Sequence, residues 1–168
     1  MTNLLEEALD AWGFARDGVI DEIRNLPEKD MAFRPGEQSR TVAELARHVL
    51  ESGGLMAGEL SRPDGDFQRK SYEELLREHG RGSARLLSRR KLLDELRRRH
   101  AEGAVRIRKA GEIHMLQLIR RFDGKMGTRL AWMHHGISHE EYHRGQIALC
   151  ARLAGRTPAL TKRIEGSD

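Results

Sequence analysis

The sequence predicts an all-α fold: an antiparallel, up-down-up-down four-helix bundle with short extra helices in the middle, built by residues 1–168 as one domain. Three observations carry this reading. Apolar residues recur at helical spacing through three long segments. A helix-start signal, a hydroxyl residue followed three positions later by glutamate, occurs twice. Pro27, Pro35 and Pro158 fall between the periodic segments. Short connections between long amphipathic helices favour antiparallel neighbours.

The first helix covers residues 3–24, where Leu5, Ala8, Leu9, Trp12, Ala15, Val19 and Ile23 share one face. "NLPEKDMAFRPGEQSR" then breaks the period. Thr41 and Glu44 form a capping-box pair at the start of the second helix, whose stripe is Val42, Leu45, Ala46, Val49 and Leu50. "SRPDGDFQRK" is a loop by composition. Ser71 and Glu74 repeat the capping-box spacing at a third helix. Its buried side is Tyr72, Leu75, Leu76, His79, Ala84, Leu86 and Leu87, and Gly80 and Gly82 weaken it. Leu92, Leu93 and Leu96 predict a short helix ending near Gly103, and a second short helix is expected around residues 111–121. The last helix runs from about Thr128 to Ala154, with Gly155 and Pro158 as its stop.

Apolar residues make up 38% of the chain and charged residues 33%, a profile that excludes a disordered protein. No apolar run approaches the ~20 residues of a membrane span. The N-terminus lacks the basic and apolar regions of a signal peptide, and the single cysteine, Cys150, fits a reducing compartment. A cytoplasmic protein with no membrane partner is expected. The net charge is +4, and much of it lies in "SRRKLLDELRRRH". Asp94 and Glu95 interrupt that run and no aromatic residue accompanies the arginines. A solvated helix face is therefore favoured over a nucleic-acid surface.

The chemistry-bearing segment is "HHGISHEEYHRGQ", residues 134–146, on the last helix. At about 100° per residue, Trp132, His135, His139, His143, Gln146, Cys150 and Leu153 fall on one face, and Glu141, Arg144 and Arg152 on the other. Imidazoles in a core stripe are either hydrogen-bonded or metal-bound. Residues four apart rise about 6 Å along a helix and residues eight apart about 12 Å. His135 and His143 therefore cannot share one ion. The pair is His139 with His143 or His135 with His139, and another helix must complete it. His48, at the edge of the second helix's stripe, is the best outside candidate. His79 reads as structural, and His100, His114 and His134 as surface or loop residues.

Three stretches resemble the DinB-like bundle superfamily, which includes YfiT-type proteins. "FRPGEQSRTVAELARHV" is similar to its loop and second helix, ending in its first histidine ligand, here His48. "HEEYHRGQIALCARLAGRTPAL" is similar to its last helix, with His139 and His143 at the ligand positions. "LPEKDMAFRP" is also typical. The resemblance implies a four-helix bundle, commonly a homodimer, with a three-histidine site for nickel or zinc. It further implies a small-molecule substrate and chemistry such as transfer of a low-molecular-weight thiol, as in bacillithiol transferases or mycothiol-dependent isomerases. His134 and His135 lie outside the signature. His135 is expected either to support the site or line a substrate pocket, or to be a core histidine bonded to a backbone carbonyl. Glu140 and Gln146 are expected to orient the ligands or to be ordinary solvated residues, and Tyr142 to donate a proton or to pack.

"HEEYH" also matches the H-E-x-x-H pattern of zinc proteases. No third histidine follows at the spacing such an enzyme needs. Glu165 lies close to the chain end, beyond Gly155 and Pro158. Glu140 stands about 100° from His139 on the helix, off the histidine column. A metal-dependent transferase, hydrolase or isomerase is the leading expectation. The alternative is a non-catalytic, stress-related metal-binding bundle, with a protease or a nucleic-acid binder behind both.

Overall fold

The structure is a computed structural model that describes residues 3–80, 82–83 and 88–166. Four long helices make the bundle: α1 (Leu4–Arg24), α2 (Val42–Ser61), α4 (Arg89–Ala110) and α6 (Arg129–Leu153). Three shorter ones, α3 (Tyr72–His79), α5 (Glu112–Met115) and α7 (Ala159–Glu165), and a 3-10 turn at Glu28–Ala32 fill the connections. Both capping boxes form: Thr41 and Glu44 cap α2, and Ser71 and Glu74 cap α3. No helix is long and apolar enough to cross a membrane among the described residues.

The bundle has two apolar ends. At one end the last turns of α1 (Val19, Ile20, Ile23) and α6 (Ile147, Cys150, Ala151) meet the first turns of α2 (Val42 to Leu50) and α4 (Leu92, Leu93, Leu96). At the other, Leu5 to Trp12 of α1 and Leu130 and Met133 of α6 meet Leu55 to Leu60 of α2 and Ile107 of α4. So α1 and α6 run one way and α2 and α4 the other. The all-α bundle with short extra helices is as expected, but its helices run up-down-down-up along the chain. The reason is the α2–α4 connection. It is not a short turn: with α3 inside it, the chain returns along the bundle before α4 starts.

The middle segment differs from expectation. α4 does not end near Gly103 but runs on to Ala110. Gly103 is a packing residue: a Cβ there would lie 2.7 Å from Trp12 Cη2 and 2.9 Å from the Ala57 Cβ. The stop is Gly111, whose φ of 87° is open to glycine but costly for other residues. The helix expected around 111–121 shrinks to the single turn of α5. A two-stranded antiparallel hairpin follows it, β1 (Leu118–Arg120) with β2 (Met126–Thr128), Ile119 facing Gly127. Ile119 is buried, which is what its β-branched side chain contributes. In α3, Leu75 is buried and Tyr72 partly exposed; Ala84, Leu86 and Leu87, expected on the same side, lie outside the described residues. The arginines of α4 are laced to acidic neighbours: Arg98 to Glu95 at 2.7 Å and to Glu102 at 2.6 Å, Arg97 to Asp94 at 3.6 Å, and Arg99 to Glu95 at 3.0 Å.

Candidate metal centre

Between the two apolar ends lies a polar layer, and it organises the site. Arg16 and Glu140 are both fully buried there. Arg16 donates through Nε to Glu140 Oε2 at 2.8 Å and through Nη2 to Oε1 at 2.6 Å, while Nη1 donates to the Leu96 carbonyl at 3.0 Å. The indole N–H of Trp12 donates to Glu140 Oε1 at 2.7 Å. Glu140 is therefore neither a solvated residue nor free to act as a base. It ties α6 to α1, and through Arg16 to α4. Gly53 gives α2 its close approach, because a side chain there would run into the Arg16 guanidinium.

One residue before Glu140, His139 turns toward α2. His48, His139 and His143 converge, with His139 Nε2 3.2 Å from His48 Nε2 and 3.0 Å from His143 Nε2. All three nitrogens lie within 4.8 Å of one another and are the right donors for a metal ion. Gln146 Oε1 accepts from His143 Nδ1 at 2.6 Å. That bond places the proton on Nδ1 and leaves the Nε2 lone pair facing the other two rings. Burial, then the Arg40 charge, pushes His48 down to about 3. Burial, then its neighbour His143, pushes His139 down to about 4, and burial lowers His143 as well. The cluster is thus three neutral imidazoles gathered on one point.

A divalent ion fits this donor set. With bonds of ~2.1 Å at angles of about 90–109°, ligand nitrogens stand ~3.0–3.4 Å apart; the two resolved separations are 3.0 and 3.2 Å. The pair on α6 is His139 with His143, and His48 completes it from across the bundle. His135 is not among the three. It is exposed and stacks on Trp132, with ring centroids 4.3 Å apart and 18° between planes. It lines an apolar cavity of about 180 Å³ with Met56, Phe67, Tyr72, Phe122 and Trp132, and His139 forms part of the same wall. Tyr142 is exposed, its ring edge-on to His143 at 5.1 Å.

The helical wheel of α6 needs correction at several positions. Arg144, placed on the outer face, is buried over Gly18 of α1, and Leu153, placed in the core stripe, is exposed. α6 buries the Met133, Glu140, Ile147 and Ala151 side against the bundle, and the histidines sit at its border. His100 is not a surface residue: it packs edge-on against Trp12 at 4.4 Å. His114 Nε2 lies 2.9 Å from the Leu60 carbonyl. Sequence reasoning missed Arg16 and Trp12 as supports of the site. The signal was present, since Arg16 is a charged residue inside the apolar stripe of Trp12, Ala15 and Val19.

A second cluster, Glu59, Glu78 and His79, has metal-ligand chemistry by composition but is an ion-pair network. Arg69 donates to Glu59 at 2.5 Å and to Glu78 at 2.8 Å, and His79 meets Glu59 at 2.8 Å. Burial raises the Glu59 carboxyl, and the Arg69 and His79 bonds more than reverse this, leaving it at about 2. The arginine already supplies the cation.

An all-α bundle that gathers three neutral imidazoles beside an apolar cavity defines a helical protein with a candidate metal centre. The model of the DinB family matches residues 1–165, and the chain belongs to that family. It is similar in structure to a DinB-like protein, YjoA, from Bacillus subtilis, with a TM-score of 0.67 and 18% identity over 90% of this chain and 93% of that one. At that identity the likeness concerns the fold. No curated protein matches the sequence.

Proposed function

We propose that His48, His139 and His143 hold one divalent ion, nickel or zinc, and that the protein is a metal-dependent enzyme acting on a small molecule. Transfer of a low-molecular-weight thiol is the favoured chemistry, with related hydrolysis or isomerisation behind it. The observation that carries this is the convergence of three neutral imidazoles, through their Nε2 atoms, beside an apolar cavity. Three protein ligands leave coordination positions open, as catalytic rather than structural sites do. When bound, such an ion lowers the pKa of a coordinated water or thiol and polarises a carbonyl.

The chain's own residues do the rest. Gln146 holds His143 in the tautomer that presents Nε2. The Arg16–Glu140 pair fixes the α6 turn that carries His139. The walls of Phe67, Phe122 and Trp132 exclude water from the substrate side. In a thiol transfer, the S–H proton passes to solvent, sulfur bonds to an electrophilic carbon, and the leaving group departs with its electron pair. Tyr142 lines a groove that reaches His143, and His135 lines the apolar cavity that reaches His139, so both are positioned to meet substrate. The homodimer and the cytoplasmic setting that the sequence suggests belong to this reading, and sedimentation tests the former.

Because the three imidazoles come from α2 and α6, the same ion also supports a second reading, a non-catalytic metal staple. Elemental analysis of the purified chain decides first. The expected result is one divalent ion per chain, lost in His139→Ala; full retention in that variant sinks the site. A thiol-transfer screen with the identified metal restored then separates the readings. Turnover supports the enzyme; a large fall in melting temperature on chelation without any turnover supports the staple.

A further inference from the structure

We propose that Arg40 is the anion-binding residue of this site and that its ligand is a carboxylate with a single aromatic ring or an aliphatic body of that size. The inference rests on the metal reading above and deepens it. Arg40 ends the loop that leads to the Thr41 cap of α2. It is exposed and makes no hydrogen bond or ion pair with a described residue. Other arginines of the chain are engaged: Arg34 with Glu44, Arg62 with Asp64, Arg108 with Glu6.

Its position is specific. Two grooves meet at Arg40. One is lined by Gln38, Ser39, Tyr142, His143 and Gln146, and so reaches the triad from the α6 side. The other runs past Arg34, Glu44 and Glu51 to His48. The guanidinium therefore stands where the polar approaches to the three imidazoles join. His139, whose Nε2 lies 3.2 Å from that of His48 and 3.0 Å from that of His143, lines the apolar cavity, so the cavity and the two Arg40 grooves all reach the triad.

The two features select a ligand. An unpaired arginine fork matches a carboxylate in two parallel hydrogen bonds. The cavity, at about 180 Å³, is close to the ~150 Å³ that takes one benzene molecule. A molecule with its carboxylate on Arg40 and its ring against Phe67, Phe122 and Trp132 spans the open face of the triad. A monoanion is favoured over a phosphate dianion because Glu37, Glu44 and Glu51 share the groove with Arg40.

The test uses calorimetry on the zinc-loaded chain with benzoate, benzyl alcohol, acetate and phenyl phosphate. Zinc content is measured first, and a wild-type chain without one zinc per chain sinks the metal reading and this inference with it. With zinc held, benzoate is expected to bind at least about tenfold tighter than benzyl alcohol or acetate. Arg40→Gln should lose about tenfold in benzoate affinity while keeping one zinc per chain and the weak binding of benzyl alcohol; Arg40→Lys should recover part of it. Trp132→Ala should weaken benzoate and leave acetate unchanged. Unchanged benzoate affinity in a zinc-replete Arg40→Gln chain overturns the proposal and leaves the metal reading standing. So do equal affinities for benzoate and benzyl alcohol, or tighter binding of phenyl phosphate.

Discussion

Arg16 and Glu140, 124 residues apart in sequence, lock together by two hydrogen bonds of 2.8 and 2.6 Å in a fully buried layer one residue from His139. The glutamate that makes "HEEYH" look like a protease motif is thereby committed to structure. A base must reach its substrate's proton, and both oxygens of Glu140 face Arg16 and Trp12.

Removing Glu140 strands a buried guanidinium. Glu140→Ala is expected to cost about 3–5 kcal/mol of stability, and Glu140→Gln, which keeps an acceptor for Trp12, less. Chemical denaturation measures both. A wild-type midpoint in Glu140→Ala would show that the pair is not what holds α6 to α1.

His135→Ala should retain the full complement of metal, because its ring lies on Trp132 and not among the three Nε2 atoms. Elemental analysis compares it with His48→Ala and His143→Ala, both expected to lose the ion. Loss of metal in His135→Ala would move the centre one turn toward the start of α6.

Gln146→Leu removes the acceptor of His143 Nδ1–H and frees the ring to rotate or change tautomer. Metal affinity should fall about 10–100-fold, the usual range for the partner of a histidine ligand. Competition with a chromophoric chelator reads it. Unchanged affinity would mean that packing alone orients His143.

Acid should weaken the metal-free chain through the triad. In the fold, burial holds His48 at about 3 and His139 at about 4 and lowers His143, against an ordinary value of 6.5. Below the ordinary value the unfolded chain binds more protons than the folded one. Stability from these groups is full above about pH 6.5 and is lost as pH falls toward the folded values. Melting temperatures of chelated protein from about pH 7 to 4 should therefore fall, and His48→Phe should flatten the curve. Parallel curves would assign the acid sensitivity elsewhere.

Gly103→Ala sets two effects against each other. Alanine gains about 1 kcal/mol of helix propensity, but its Cβ would meet Trp12 and Ala57 well inside contact distance, an overpacking cost of about 1–3 kcal/mol. Net destabilisation is expected. A stabilised variant would show that α4 can back away from α1 and α2.

What the residues announced and what they hid divides along sequence separation. The spacing of His139 and His143 is local, so one turn of helix geometry excluded the His135–His143 pair, and His48 stood out on a capped, clearly periodic α2. Which of the two roles Glu140 takes was not legible because its partners lie on α1, and no local pattern reports a contact across the bundle. The same holds for Arg144 over Gly18. The hairpin escaped because strands of three residues are too short to show alternation. Gly103 looked like a stop because a glycine excluded by a neighbour's bulk and a glycine that ends a helix are the same letter. Helix direction could not be read because it depends on how far the chain travels between α2 and α4. Arg40 carried no signal at all: an exposed arginine in a loop becomes notable only once the grooves around it are known.

The distance along the chain between His48 and His139, 91 residues, has a consequence for synthesis. α2 leaves the ribosome with a single imidazole, which cannot retain an ion. At ~5–20 residues per second, about 5 to 20 seconds pass before the other two histidines exist. The cluster is therefore a late product of biogenesis, assembled only when the final long helix docks, and a chain truncated before α6 would emerge with no centre to fill.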